Sequence, residues 1–396
     1  MKERKILIIG AGIGGLTAGI ALRRAGFQVE VFERARELRE VGAGIALSPN
    51  AMRALNSLGV MQPVVDRSTV LEAVVSCKST GEMIASLSAK LTDLPSVCLH
   101  RAELQKVLSS AIPPGCLHLG EELVGIQSSV HEVTAHFASG KSVSGHAAIG
   151  ADGLRSRVRA ELIGDGKPIY RGYQCWRGVC SHPAGNVLTE SFGLGLRMGV
   201  VPIGPRGTAW WCTANESESA SDASEGPRAK LLRWFRNWHQ PIPAVIAGTD
   251  PSAIIKTAIY DRAPVKRWSN DRCALLGDAA HPATPNMGQG GCMAIEDAVV
   301  VARCLSDCDN PAAAFRTYER LRYPRTATVT KISRYYGSVG QWQRPLAAWF
   351  RERLLRLGSG QAAINGYLKF VNYDSSTIAI TKKRRRFPGA ARTFDN

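Results

Sequence analysis

The chain has no uninterrupted apolar run near the roughly eighteen residues that a membrane-crossing helix needs. It has no leader-like start either. Met1-Lys2-Glu3-Arg4-Lys5 runs straight into a short strand and a glycine loop, without a long apolar stretch before a small-residue cleavage site. These absences predict a cytoplasmic protein. The ten cysteines show no paired spacing and stand singly at 77, 98, 116, 175, 180, 212, 273, 292, 304 and 308. Cys304 and Cys308, the nearest two, lie on an expected helix with no matching Cys or His pair, so no metal site is expected and the thiols read as buried and free. Acidic residues are scarce: 33 Asp and Glu face 50 Lys and Arg, a net charge of +17. Five of the positive charges form the run Lys382-Lys383-Arg384-Arg385-Arg386. No nucleic-acid motif or regular basic-aromatic stripe accompanies this excess, so no nucleic-acid partner is expected. The run reads as a solvated tail, with weak peripheral contact to an anionic surface as its functional alternative, and a basic surface also draws in anionic substrates and nicotinamide cofactors. No solenoid or propeller repeat is present.

What the chain does have is 396 residues with 45% hydrophobic and 21% charged content, which predicts a globular protein of two domains. It opens with a strand (Lys5 to Ile9), the loop Gly10-Ala11-Gly12-Ile13-Gly14-Gly15, a helix (Leu16 to Arg24), and a second strand, Gln28 to Phe32, that ends at Glu33. This is a dinucleotide fingerprint in its required context. Gly10 permits the tight turn, Gly12 lets the backbone approach a pyrophosphate, and Gly15 lets the helix pack on the strand. The phosphates would sit where free N–H groups and the helix dipole favour negative charge. Glu33 is placed to accept from a ribose 2′-hydroxyl and repels a 2′-phosphate, so the tightly held nucleotide should be FAD or NAD.

Further along, Val41 to Asn50 is glycine-rich and leads into a helix, residues 70–87 read as two strands about Thr80-Gly81, and His100 to Ser110 as an amphipathic helix. Residues 117–150 alternate as strands. Residues 171–213 change character to apolar and aromatic alternation, which predicts a separate antiparallel sheet, followed by a loop at 215–227, a helix from Ala229 to Trp238 and a strand from Ala253 to Tyr260. Helices are expected over Gly290 to Cys304 and Ala312 to Tyr335, the second kinked or split at Pro324. Three further stretches carry chemistry. Gly150-Ala151-Asp152-Gly153 closes a strand and precedes Arg155, Arg157 and Arg159; its bland alternative is an ordinary Asp-Gly turn. Gly277-Asp278-Ala279-Ala280-His281-Pro282 ends a buried strand and leads through Pro285 to Gly288-Gln289-Gly290-Gly291, where Asp278 could bind polyol hydroxyls and the glycine N–H groups an anionic ring edge or phosphate, or Asp278 could cap locally. His100-Arg101 sits at a helix start.

Taken in this order, the glycine fingerprint at 10–15, the Asp-Gly at 152–153 and the Gly-Asp at 277–278 resemble the class A FAD-dependent monooxygenases, the para-hydroxybenzoate hydroxylase-like family, over about residues 5–335. Within that family the run Met287 to Ala298 looks most like the FAD-dependent urate hydroxylase and zeaxanthin epoxidase branch. The resemblance implies an α/β fold: a Rossmann-like FAD-binding domain (1–69, 97–170 and 261–335), an inserted antiparallel substrate sheet (70–96 and 171–260), a C-terminal helical region (336–379) and a basic tail (380–396). It implies that FAD is held by Gly10, Gly12, Ile13, Gly14, Gly15, Glu33, Arg34, Arg101 and Asp278. Gly44, Pro285, Gly288, Gly290 and Gly291 would lie near the ring, and Asp152 and Arg157 would help bind FAD and the nicotinamide cofactor. NADH or NADPH would reduce the flavin without a second nucleotide domain, in keeping with the single complete fingerprint. Oxygen would then pass through a flavin C4a-hydroperoxide to a small electron-rich, aromatic or heteroaromatic substrate, with the protein supplying orientation and exclusion of water.

The chain also departs from that pattern. No His or Tyr base for phenolate formation can be placed; His281 has a structural role, and Pro285 stands where some relatives have a polar residue. Arg197 resembles, in its segment, an arginine with which urate hydroxylases hold an anionic substrate, while Trp210 and Trp211 replace their tyrosine. Arg197, Trp176, Trp210 and Pro285 are therefore candidate pocket residues, Arg197, Trp210 and Pro285 being the catalytic candidates, against the alternative that they are sheet or core residues. Phe192 reads as core. Hydroxylation is the expected reaction; epoxidation of a prenyl or polyketide alkene, flavin reduction without oxygen insertion, and a flavin-binding module docked through its basic tail are the alternatives. The protein is expected as a monomer or homodimer.

Overall fold

Five parallel strands form the centre of the nucleotide-binding part, in the order Cys273–Leu275, Ala147–Gly150, Lys5–Ile9, Gln28–Glu33, Leu117–Leu119. The apolar run Ile6-Leu7-Ile8 is wholly buried, as expected of a parallel strand covered on both faces. The computed structural model describes residues 4–38, 43–183, 185–357 and 360–379. The Val41-Gly42 pair and the Lys382–Arg386 run lie outside the described residues. Among those described, no helix is long and apolar enough to cross a membrane, and all ten cysteines are free, eight of them buried.

Helix Ile13–Arg24 packs on this sheet because its glycines remove side chains where no space exists. A Cβ on Gly15 would sit 1.9 Å from the Gly10 carbonyl oxygen, and one on Gly14 would meet Leu276 at 2.6 Å and Ala294 at 3.1 Å. Gly10 adopts φ +103°, so the loop requires it twice, by conformation and by the Ala151 oxygen 2.6 Å from a would-be Cβ. Ala294 belongs to helix Gly290–Asp307, which is buried almost all round and runs three residues further than its sequence pattern suggests.

The second part is a seven-stranded sheet in the order Ile255–Asp261, Ile169–Cys180, Thr208–Ala214, Leu196–Pro202, Val187–Phe192, Ala73–Lys78, Met83–Ser88. It is antiparallel except where Val187–Phe192 pairs in parallel with Ala73–Lys78, so the two sequence-distant segments meet in one sheet. Helices Pro227–Phe235 and Ile242–Ala247 cover its outer face. The other face turns toward the nucleotide-binding part: a Cβ on Gly44 would meet Ile203, Ala209 and Val201 within 3.4 Å.

The proline in the long helix neither splits nor ends it. Pro311–Gly340 is one helix through Pro324. Pro324 faces solvent, where the lost backbone donor is tolerated, and its neighbours Arg322 and Arg325 both pair with Glu296 on the inner side. Those pairs belong to a buried network. Asp297 accepts from Arg322 Nε (2.6 Å) through Oδ1, while its Oδ2 meets His281 Nε2 (2.6 Å) and the Gly277 N–H (3.0 Å). Glu296 beside it binds Arg322, Arg325 and Asn50. Burial opposes the charge on Asp297, but His281 and Arg322 outweigh it and hold the carboxyl far below the usual carboxylate range.

The folded-state pKa of Asp297 is thus below its unfolded value. Its contribution is complete above about pH 4 and is lost as pH falls toward the folded value. Asp297→Asn should lower stability by about 3–5 kcal/mol near neutral pH, since it leaves Arg322 buried with one carboxylate fewer. In denaturant melts across pH, the gap between the two proteins should narrow below about pH 4. A gap independent of pH would show that the charge of Asp297 is not what stabilises the turn.

Candidate active site

The nucleotide end is built from two helix starts and the residues between them. Helix Ile13–Arg24 has no side-chain cap and no acid in its first turn, and a Cβ on Gly12 would meet nothing within 4 Å. The open space beside free N–H groups suits a diphosphate. Glu33 Oε2 accepts from the Ala11 N–H (2.8 Å) and Oε1 from the Ala35 N–H (3.0 Å), which fixes the carboxylate while leaving acceptor sites for ribose hydroxyls. Arg34 beside it is exposed. Gln105 holds the other side of the loop, donating to the Ala11 carbonyl at 3.1 Å.

Helix Gly290–Asp307 also begins with neither a side-chain cap nor an acid. A Cβ on Gly290 would lie 3.6 Å from Asp278 Oδ1, and one on Gly291 would lie 3.0 Å from Ile45. The Arg101 N–H donates to Ala43, next to Gly44, at 3.1 Å. Asp278 opens onto the cleft, yet the surrounding protein strips enough water from its carboxyl to raise the pKa, with His281 and Arg101 pulling the other way. Gly44, Arg101, Asp278, Gly290 and Gly291 therefore converge on one cleft. Gly288, at φ +61°, turns the chain between Pro285–Met287 and the helix.

Two expected cofactor contacts also order their own segment. Asp152 spends both oxygens on its own helix: Oδ1 accepts from Ser156 Oγ (2.5 Å), and Oδ2 from the N–H groups of Arg157 (2.7 Å) and Val158 (3.2 Å). The side chain of Arg157 is largely exposed and ties to Glu161 and to the Val124 carbonyl. The backbone of this segment also packs on the glycine loop, the Ala151 oxygen lying 2.6 Å from a would-be Cβ on Gly10.

At the ring end, strand parity sorts the aromatic residues. In Thr208–Ala214, Trp210 shares its face with Cys212 and Ala214, whereas Trp211 shares the opposite face with Ala209 and Thr213. Trp210 is fully buried against the outer helices and donates to Thr249 Oγ1 at 2.8 Å. Trp176, opposite Cys212, is also fully buried there and donates to Asp222 at 2.5 Å. Both are core residues that do not reach the cleft, which corrects their placement as pocket candidates. Trp211 is the inner-face tryptophan. It is half-buried, packs against both the Tyr173–Cys175–Ile259 and the Ala43–Val201–Ile203 groups, and lies over Gly199, whose would-be Cβ is 2.0 Å from the indole.

Arg197 is on the inner face, and each of its three nitrogens is engaged. Its Nε donates to Gln341 Oε1 (2.9 Å) and Thr213 Oγ1 (3.2 Å), Nη1 pairs with Glu190 Oε1 (3.2 Å), and Nη2 donates to Asn286 Oδ1 (2.5 Å). Asn286, next to Pro285, donates in turn to the Tyr173 hydroxyl at 2.9 Å. Burial raises the pKa of Tyr173, with Asn286 and Arg197 acting in opposition. The long helix makes room for this cluster with two glycines on one face. A Cβ on Gly337 would be 2.3 Å from Asn286 Nδ2, and one on Gly340 would be 2.9 Å from Arg197 Cδ. Tyr173, Glu190, Asn286 and the pair Gly337 and Gly340 were not singled out from the sequence. The period-two alternation around Arg197 held a signal for Glu190 and Trp211; nothing in the sequence pointed to Asn286.

The "FAD binding domain" family matches residues 3–169 and 189–333. The aurachin C monooxygenase/isomerase of Stigmatella aurantiaca is 44% identical over 362 residues, 89% of this chain and 94% of that protein. The FAD-dependent urate hydroxylase of Klebsiella pneumoniae is 31% identical over 375 residues, 91% and 97% of the two chains. A crystal structure of Klebsiella pneumoniae HpxO complexed with FAD and uric acid superposes with a TM-score of 0.87 at 29% identity, covering 93% of this chain and 97% of that one.

The parity assignment predicts opposite outcomes for adjacent tryptophans. Trp210→Ala should lower stability by about 3–5 kcal/mol in thermal or denaturant melts. Trp211→Ala should leave the fold nearly unchanged and instead alter ligand-induced changes in flavin absorption.

Proposed function

The chain belongs to the FAD binding domain family of FAD-dependent monooxygenases, and on that premise we propose that it inserts one oxygen atom of O₂ into a small electron-rich aromatic or heteroaromatic ring, with NADH or NADPH as reductant. The observation that carries this reading is the meeting of Trp211, Tyr173 and Asn286 on the inner sheet face with the Pro285–Gly291 segment, in the same cleft as Gly44 and Asp278.

In this reading Gly10, Gly12, Ile13, Gly14 and Gly15 hold the diphosphate of FAD and Glu33 its ribose, with Arg34 at the rim. Arg101 and Asp278 hold the linker hydroxyls and phosphate, and the N–H groups of Gly288, Gly290 and Gly291 face the electron-rich edge of the ring, with Gly44 and Pro285 beside it. Bound there, the flavin supplies electron transfer from the nicotinamide and activation of O₂. The protein contributes position and dryness. Trp211, Val201, Ile203 and Ala209 present an apolar wall that keeps water from the reacting atoms. Tyr173 stays protonated at neutral pH and accepts from Asn286, and in this reading its O–H is turned to a substrate oxygen. It acts as a donor and not as a base. Glu190 is engaged by Arg197 and Tyr336, so the cluster around Arg197 holds no free base. A substrate that is already electron-rich fits this site.

A second reading rests on the Stigmatella relative, named a monooxygenase and isomerase: oxygen insertion followed by rearrangement of the same molecule. Regiochemical analysis of the product separates the two.

The test is oxidation of NADH and NADPH in air by the flavin-loaded protein, with phenols, purines, aurachin C and simple alkenes. Stimulation by a ring compound with formation of an oxygenated product is the expected result. Slow oxidation unaffected by every compound would point to a reductase. Tyr173→Phe should leave FAD binding unchanged. It should reduce kcat/KM about tenfold, the loss of roughly one hydrogen bond, and increase hydrogen peroxide release.

A further inference from the structure

Arg197 holds the position at which an anionic substrate would be expected to find its counter-ion, yet its charge is already answered. The guanidinium is buried, and so is most of Glu190, whose Oε1 lies 3.2 Å from Nη1. The other oxygen of Glu190 accepts from the Tyr336 hydroxyl at 2.8 Å, which fixes the carboxylate against the arginine. The register explains the placement. Glu190 is opposite Gly199 and one position diagonal from Arg197, on the same sheet face, and Gly199 carries no side chain to intervene. Arg197 Nε donates to Gln341 and Thr213 and its Nη2 to Asn286. A second guanidinium on this face, Arg177, donates to Thr257 Oγ1 at 3.0 Å and sits next to the edge strand, across from Trp211.

We propose that Glu190 is a specificity-determining residue that cancels Arg197 and so tunes the site to uncharged ring substrates, with Arg197 reduced to positioning Asn286 and, through it, Tyr173. A carboxylate-bearing or otherwise anionic ring entering this site would meet a paired arginine and the nearby negative charge of Glu190, and would lose its hydration without gaining a counter-ion. An uncharged ring with a carbonyl or hydroxyl oxygen needs only the donor at Tyr173 and the apolar wall. This rests on the reading that substrate lies between the inner sheet face and the flavin, but its test needs no turnover.

The probes are 3-hydroxybenzoate and its uncharged counterpart 3-hydroxybenzamide, titrated into the FAD-loaded protein with flavin absorption as the readout. The wild-type protein should bind the amide roughly tenfold or more tightly than the acid, a difference of about 1.4 kcal/mol or more. Glu190→Gln keeps the shape and hydrogen-bonding capacity and removes the charge, so it should reverse or abolish that preference. Glu190→Asp should retain it. Thermal melts and the unliganded flavin spectrum report whether each variant keeps its fold. Equal binding of acid and amide by the wild-type protein would overturn the proposal without any variant. So would a folded, FAD-loaded Glu190→Gln protein that still rejects the acid, or a preference that changes only in Arg177→Met. If no compound of the oxidation panel is oxygenated while the amide preference holds, the reaction fails and the charge assignment stands.

Discussion

A single buried carboxylate, Asp297, ties the molecule together. It is inaccessible to water, and its charge is tolerable because Arg322, His281 and the Gly277 N–H surround it. Removing ions from water is expensive unless each lone pair is answered, so the geometry of these partners is tightly fixed. Each partner leads to a different functional element. The Gly277 N–H fixes the turn that presents Asp278 to the cleft. Asp297 itself rides on helix Gly290–Asp307, whose open N-terminus faces the same cleft. Arg322 belongs to the long helix, whose far end carries Gly337 and Gly340 against Asn286 and Arg197. The nucleotide end and the ring end of the site are thus held in register by one network.

Missing side chains shape the site as much as present ones. Gly10 and Gly15 bring a helix onto the central sheet, Gly12 leaves the phosphate space open, Gly199 accommodates the Trp211 indole, and Gly337 lets Asn286 reach Tyr173. The family supplies the flavin chemistry, and the chain's own choices define which molecule the flavin meets. In the proposed reading those choices are concentrated on one face of the seven-stranded sheet, which carries the Arg197–Glu190 ion pair, the Tyr173 phenol and the Trp211 indole. Such a face favours a substrate bound by shape and by a few hydrogen bonds.

Much of this was legible in the sequence where the signal is local. The strand, glycine loop, helix and terminal Glu33 all fall within one short segment, and each residue type has a backbone reason. The Gly277-Asp278 turn and the glycines before Cys292 are equally local, and their convergence with Gly44 and Arg101 follows from the family resemblance. Sidedness was less legible. Adjacent Trp210 and Trp211 differ only in parity, and which parity faces the nucleotide-binding part is set by the packing of the sheet and not by any local pattern. The expected role of Asp152 came from the family resemblance, and no local pattern shows that its oxygens also hold the first turn of the following helix. The charge state of Arg197 depends on Glu190 in the adjacent strand and on Gln341 beyond the long helix, a relation that no local pattern encodes. Pro324 was expected to kink or split its helix; it does not split it, and the ion pairs of Arg322 and Arg325 hold the helix beside it.

The most direct test of the whole account is turnover under ¹⁸O₂ with mass analysis of the product of whichever ring compound stimulates NAD(P)H oxidation. The account predicts one heavy oxygen atom per product molecule and none from labelled water. A product without added oxygen, or one whose new oxygen comes from water, would contradict it.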